Sequence, residues 1–198
     1  YAREALKTDT RRMIVAAHQL NIPITIGSCG TCGVDDGVDF MEEICREILE
    51  EEGFSAKIVK IYTEQTVEAM KEKLHEGKIK PLGTRVEITD EVLDSCAHIV
   101  AAAGVEPFIK ALKDGADIVL CGRATDTAVL ACMPILMGCS EAAAWHGAKV
   151  CECGALCTTN PQNGGVVLTV DETGFTVAAT ASDSTCTPYT ISAHLLYE

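Results

Sequence analysis

Four short segments bring together residue types that can do chemistry. The first is Gly27-Ser28-Cys29-Gly30-Thr31-Cys32-Gly33, which follows an apolar run and precedes an amphipathic pattern. Glycines let a backbone approach a ligand closely, and N–H groups near a helix start favour an anion. The spacing is GxxGxxG with no Lys-Ser/Thr after it, so it is neither the dinucleotide fingerprint nor a Walker loop. Gly27, Ser28, Gly30, Thr31 and Gly33 are therefore candidate ligand contacts, and a purely structural turn is the alternative. Asp35 and Asp36 come next, placed to cap a helix, bind a cation or act as a base.

The second segment is Gly122-Arg123-Ala124-Thr125-Asp126, again after an apolar run and before a helical pattern. An arginine at a strand end is a natural fork for a carboxylate or phosphate. Arg123 and Thr125 are candidate substrate contacts, with a structural ion pair as the alternative for Arg123. Asp126 complements a helix dipole, orients Arg123 or serves as an acid–base group. The third is Glu152-Cys153-Gly154-Ala155, where Glu152 is an acid–base candidate expected near a sheet edge. The fourth is Cys186-Thr187-Pro188, which opens a last helix carrying His194. No GxSxG elbow and no HExxH is present, and His18, His75, His98 and His146 form no ligand spacing.

Eleven cysteines in a chain without a secretion signal do not read as a disulfide framework. Most read as small buried residues in a reducing cytoplasm. Cys29 and Cys32 form a CxxC, and Cys151, Cys153 and Cys157 a CxCxxxC, so a metal or redox site is the sharper alternative. A Cys29 seated at a helix N-terminus would have an acidified, reactive thiol. No cofactor fingerprint emerges.

These segments need a frame to hold them. Apolar runs at Ile22–Ile26, Ala56–Tyr62, His98–Ala103 and Asp117–Cys121 read as four strands. They alternate with helical patterns over Tyr1–Gln19, Gly37–Glu52, Glu64–Glu76, a start at Thr89, Val105–Lys113 and Thr125–Met137, where Pro134 bends or ends the last. This order predicts an α/β fold: an open, mostly parallel, Rossmann-like sheet with helices on both faces. The acidic run Glu42, Glu43, Glu47, Glu50 and Glu51 reads as a solvated helix face. Val166–Val170 and Phe175–Ala179 read as a hairpin with Gly174 at a left-handed turn position, followed by a helix from Pro188 capped by Thr187. The expected organisation is thus a strand–helix domain over 1–150 and a second region over 151–198.

Twenty-nine acidic against 16 basic residues leave a net charge of −13. That disfavours nucleic acid and anionic membrane as partners, since both need a basic surface. The apolar runs are too short to cross a bilayer. An anionic small molecule must then be captured locally. The chain starts at Tyr1 without Met and stops within an apolar pattern at Leu195–Glu198, which reads as a piece of a longer protein or a part of an oligomer.

The segments GSCGTCG with Asp35, ADIVLCGRATDTA, ECGA and CTPYTISAHLLYE, in this order, resemble the acyclic terpene utilisation (AtuA-like) family. Cys29 and Cys32 stand where that pattern has alanine, which fits small fillers. The resemblance implies a central portion of a longer catabolic enzyme. It implies acyclic terpenes or branched acids, held as acyl-CoA thioesters or hydroxy acids, and lyase, hydratase or isomerase chemistry. A 3-hydroxy-3-methylglutaryl-CoA-like compound is the kind of substrate it suggests. A non-catalytic assembly subunit and a cysteine-based metal protein are the rival readings.

Overall fold

A computed structural model describes residues 2–83 and 87–197. Tyr1, with which the sequence reading opens its first helical segment, lies outside the described residues. The chain separates into two compact units, one of residues 1–103 and 117–124, the other of residues 104–116 and 125–198.

The first unit is built on three parallel strands, β1 (Ile24–Ile26), β2 (Ile58–Ile61) and β3 (Ile118–Cys121), in the order β1-β3-β2. Ile118 of β3 lies opposite both Ile24 and Ile58, and Cys121 opposite Ile61. All three strands therefore end at one border of the sheet. Helices α1 (Arg3–Leu20) and α2 (Asp35–Glu52) pack on each other and on this sheet. Val38, Met41, Ile44, Cys45, Ile48 and Leu49 recur at helical spacing and are buried along α2. They meet Ile14 of α1 and the alternate β3 residues Ile118 and Leu120, with Ile24, Ile26 and Ile58 packed alongside. Burying each such large aliphatic side chain contributes about 1.5–3 kcal/mol, so this apolar seam decides how α2 lies.

The acidic face of α2 is not simply solvated, as the sequence reading had it. Arg3, Lys7 and Arg11 form a stripe at spacing four on α1 and pair with Glu47, Glu51 and Glu52. The Arg3 guanidinium and Lys7 ammonium hold the Glu47 carboxyl down at about 2. A carboxylate with a lowered folded-state pKa contributes stability above its unfolded value and loses it as pH falls through the folded one. Glu47→Gln should therefore flatten the loss of stability between the ordinary value of 4.5 and about 2. Chemical denaturation at a series of pH values reads this, and an unchanged acid limb would refute it.

The third expected strand, His98–Ala103, does not form. That segment makes only isolated bridges, Val100 with Glu64 and Ala103 with Ala124. Its Ala101-Ala102-Ala103-Gly104 run offers little side chain to pack on a pleated surface. Helix α3 (Val67–His75) starts later than expected because Thr66 caps it, accepting the Ala69 N–H at 3.2 Å. That leaves Glu64 and Gln65 in the extended segment after β2. The short helix α4 (Asp90–Asp94) is capped by Thr89, as its sequence predicts.

The second unit holds α5 (Glu106–Lys113), α6 (Asp126–Leu136) and α7 (Glu141–Cys153). The hairpin β4 (Val166–Val170) and β5 (Phe175–Ala179) and helix α8 (Pro188–Tyr197) complete it. Pro134 lies inside α6, which ends at Leu136. Helix α7 packs on the hairpin, and a Cβ at Gly147 would stand 2.6 Å from Leu168. Gly174 is not left-handed. Instead Asp171 closes the turn, its Oδ1 accepting the Thr173 and Gly174 N–H groups and the Thr173 hydroxyl. Thr187 caps α8, its hydroxyl accepting the Thr190 N–H at 3.1 Å. Among the described residues, no helix is long and apolar enough to cross a membrane.

Candidate functional site

At the carboxyl border of the parallel sheet, three chain segments leave their strands and interlock. The loop after β1 is tied to the end of β3: Ser28 N–H donates to the Gly122 carbonyl at 2.7 Å, and Cys29 N–H to that of Cys121 at 3.0 Å. The Arg123 N–H donates to Thr63 Oγ1 at 2.6 Å and, more weakly, to the Gly33 carbonyl at 3.2 Å. The buried Thr63 hydroxyl donates in turn to Gly33 O at 3.2 Å. Thr63 follows β2, so it joins the other two segments.

Close approach explains the small residues here. A Cβ at Gly33 would lie 2.4 Å from Arg123 N, one at Gly37 2.6 Å from Cys29 O, and one at Gly122 2.3 Å from Thr63 Oγ1. The loop also bends through left-handed backbone at Ser28, Gly30, Thr31 and Gly33. In this respect the glycines serve the fold, whatever else the loop does.

Arg123 is half-buried, and its Nη1 donates to Ser28 Oγ at 3.2 Å. Among the described residues no carboxylate pairs with it, in contrast to Arg3, Arg11, Arg12 and Arg46. The structural ion pair considered for it is thus absent from this set. Ser28 is half-buried and Thr31 exposed beside it.

Asp35 is the first residue of α2, two positions before the expected start. Its Oδ1 accepts the backbone N–H groups of Thr63 and Glu64 at 3.2 and 3.3 Å. Its own N–H donates to Glu64 Oε2 at 3.0 Å. The carboxylate that accepts from the first N–H of α2 is therefore that of Glu64, a residue from β2's exit. The other oxygen of Glu64 meets His98 Nδ1 at 2.5 Å. That imidazole bond, with the Asp35 N–H second, lowers the Glu64 carboxyl below its usual range. The same carboxylate raises His98. A raised histidine contributes its stability fully below its unfolded value and loses it as pH rises through the folded one.

Thr63, Glu64 and His98 escaped the sequence reading. They are separated by up to 35 positions, and no short motif links them. The pairing of Val100 with Glu64 is what brings them together.

Thr125, Asp126 and Glu152 belong to the second unit. Thr125 is the exposed N-cap of α6 with no side-chain cap bond, and Asp126 opens that helix, also exposed. Glu152, expected near a sheet edge, lies on helix α7. It sits in the last turn of α7, where an alanine-rich pattern continues the helix through Cys153, and pairs with Lys149 at 2.5 Å.

Residues 37–198 match the family described as acyclic terpene utilisation family protein AtuA. The chain belongs to that family. No curated protein and no solved structure matches this AtuA-family chain. The matched stretch includes Thr63, Glu64, His98, Arg123, Thr125, Asp126 and Glu152, whereas the Gly27–Gly33 loop and Asp35 precede it.

The cysteines of this AtuA-family chain divide sharply. Cys29 is buried in the core and Cys32 exposed. Among the described residues no group of three or more His, Cys, Asp or Glu is arranged to hold a metal ion. Burial pushes the Cys29 thiol up to about 11, the reverse of the acidification that a helix N-terminus would give. Cys45 and Cys121 rise to about 12 for the same reason. Iodoacetamide should therefore label the exposed Cys32 and Cys96 of the native protein well before Cys29, Cys45 and Cys121. Peptide mapping over time reads this order, and early labelling of Cys29 would contradict it.

Proposed function

We propose that this chain is a catabolic enzyme of its family acting on an anionic substrate, a branched acyl-CoA thioester or hydroxy acid. The sheet is read as open and Rossmann-like, with the ligand beyond the strand ends. Arg123 takes the negative group, and Ser28, Thr31 and the Gly27, Gly30 and Gly33 backbone line its approach. The chemistry is acid–base, of the lyase, hydratase or isomerase kind. Asp35, Asp126 and Glu152 stay the sequence-nominated acid–base groups, of which Asp35 belongs to the unit that holds Arg123. No nucleic acid or membrane enters this reading, and the cytoplasm is its compartment.

The observation that supports it is the guanidinium of Arg123. A half-buried cation held by one hydroxyl, with no carboxylate beside it among the described residues, is poised for an anion from outside. Calorimetric titration of the chain with a panel tests it. The panel comprises 3-hydroxy-3-methylglutaryl-CoA, shorter acyl-CoA esters, branched hydroxy acids and the neutral methyl esters of those acids. The charged members should bind and the neutral esters should not. Equal binding of both, or none, would overturn the assignment. An assembling, non-catalytic subunit is the second reading. It is favoured by Tyr189, Leu196 and Tyr197, which stand exposed on α8. Turnover of any panel member decides against it.

A further inference from the structure

We propose that His98 is the proton-transfer group of the Arg123 site and that Glu64 is the residue that positions it. The inference rests on the anion-binding reading above and adds an acid–base group which that reading does not contain.

Glu64 is anchored twice. Its side chain is 26% exposed and uses both oxygens, Oε2 on the Asp35 N–H and Oε1 on His98 Nδ1. Two anchors on one carboxylate fix its plane. An ionised carboxylate only accepts, so the Nδ1 facing it carries the proton. The neutral ring then holds its lone pair at Nε2, the form a general base needs. The His98 side chain is 56% exposed, so the ring is within reach of a solute.

The backbones beneath both side chains are fixed as well. Asp35 Oδ1 accepts the Glu64 N–H. The Gln65 N–H donates to the Ile99 carbonyl at 2.8 Å, and the Ala101 N–H to that of Thr63 at 2.9 Å. Thr63, next to Glu64, bonds the Arg123 N–H. Ala103, further along the His98 segment, donates its N–H to the Arg123 carbonyl at 2.9 Å. Imidazole and guanidinium thus spring from one hydrogen-bonded set of segments at one border of the sheet. The pair His75–Asp90, 2.9 Å apart, is the internal contrast: it joins α3 to the start of α4, away from Arg123's hydrogen-bonded neighbours.

The step is a plain proton transfer. With the substrate's anionic group on Arg123, Nε2 takes the proton of a hydroxyl, or of a carbon next to a carbonyl. The electron pair stays on the substrate as alkoxide or enolate. The ring becomes imidazolium, balanced by the Glu64 carboxylate, and returns its proton to the product. No oxidant or further reactant is needed. Among the described residues, the charged groups that act on the ring are Glu64, from the exit of β2, and Asp36, from the first turn of α2.

Long-range proton–nitrogen correlation spectra of the full chain, with the histidine rings labelled, test this. Neutral His98 should show the Nδ1–H form, with Nε2 titrating. Glu64→Gln should lower its midpoint and admit the other tautomer, in a protein whose amide spectrum stays folded. Adding 3-hydroxy-3-methylglutaryl-CoA should move the His98 midpoint by about half a unit or more in the parent chain, but not in Arg123→Ala. A neutral His98 in the Nε2–H form, or a midpoint indifferent to Glu64→Gln, overturns the dyad. Calorimetric binding that depends on Arg123 while His98 stays still removes His98 alone and leaves the anion site standing. Absence of binding removes both.

Discussion

Gly33→Ala should cost the protein about 3 kcal/mol, from a left-handed backbone penalty of about 1–2 kcal/mol and an overpacking cost of about 1–3 kcal/mol. Its φ is +75°, and the added methyl would sit 2.4 Å from Arg123 N, 2.6 Å from its Cα and 2.7 Å from its Cβ. Those atoms are backbone or next to it, so a rotamer change cannot relieve the overlap. Gly53 supplies the control. It ends α2 with φ +69° and has nothing within 4 Å of an added Cβ. Gly53→Ala should therefore cost only the conformational part, about 1 kcal/mol. In a chain of this length each kcal/mol lowers the melting temperature by about 2–4 °C, so the two variants should separate clearly in a thermal scan. Equal melting temperatures would mean that the Gly33 loop does not clamp the Arg123 turn. The interlocked border would then fail as the support of the proposed site.

The elements that could be read ahead of the structure were those whose signal is local. Strands β1, β2 and β3 are short apolar runs closed by Gly27, Tyr62 and Gly122, and their parallel pairing follows from the helices between them. Thr89 and Thr187 cap the helices that their side chains announce. What escaped depends on partners far apart in sequence. The acidic face of α2 looks solvated until α1 places Arg3, Lys7 and Arg11 against it, although the matching four-residue spacing is visible in both segments. Helix α7 was missed because its alanines, glycine and cysteines give a weak apolar period, and only the hairpin packed at Gly147 makes its face plain. The site shows the same division. Gly33 and Arg123 stand out as glycine and arginine at strand exits. Thr63, Glu64 and His98 are ordinary residues until the His98–Ala103 segment bridges to Glu64 and Ala124.

Arg123→Ala should weaken the binding of a charged acyl-CoA probe at least tenfold and leave the fold in place. The fold survives because the contacts that hold this turn belong to the backbone. Its N–H reaches Thr63 Oγ1 and Gly33 O, and its carbonyl accepts from Ala103, none of which needs the guanidinium. The side chain's own bond to Ser28 Oγ is worth about 1.5–3 kcal/mol to stability, a fraction of the roughly 5–15 kcal/mol that holds a domain together. A hydrogen bond to a charged group in a partly desolvated place is worth about 1.5–3 kcal/mol, which is a tenfold to hundredfold change in affinity. Arg123→Lys should fall between, because an ammonium keeps the charge but loses the planar fork. Ser28→Ala should cost less than either, since it frees the guanidinium from one anchor without removing it. That ordering separates a guanidinium that touches the ligand from one that merely stiffens the loop, for stiffening would make Ser28→Ala as damaging as Arg123→Ala. Calorimetry on the three variants reads it directly, and an affinity unchanged in Arg123→Ala would take the guanidinium out of the binding site while the clamp around its backbone remained.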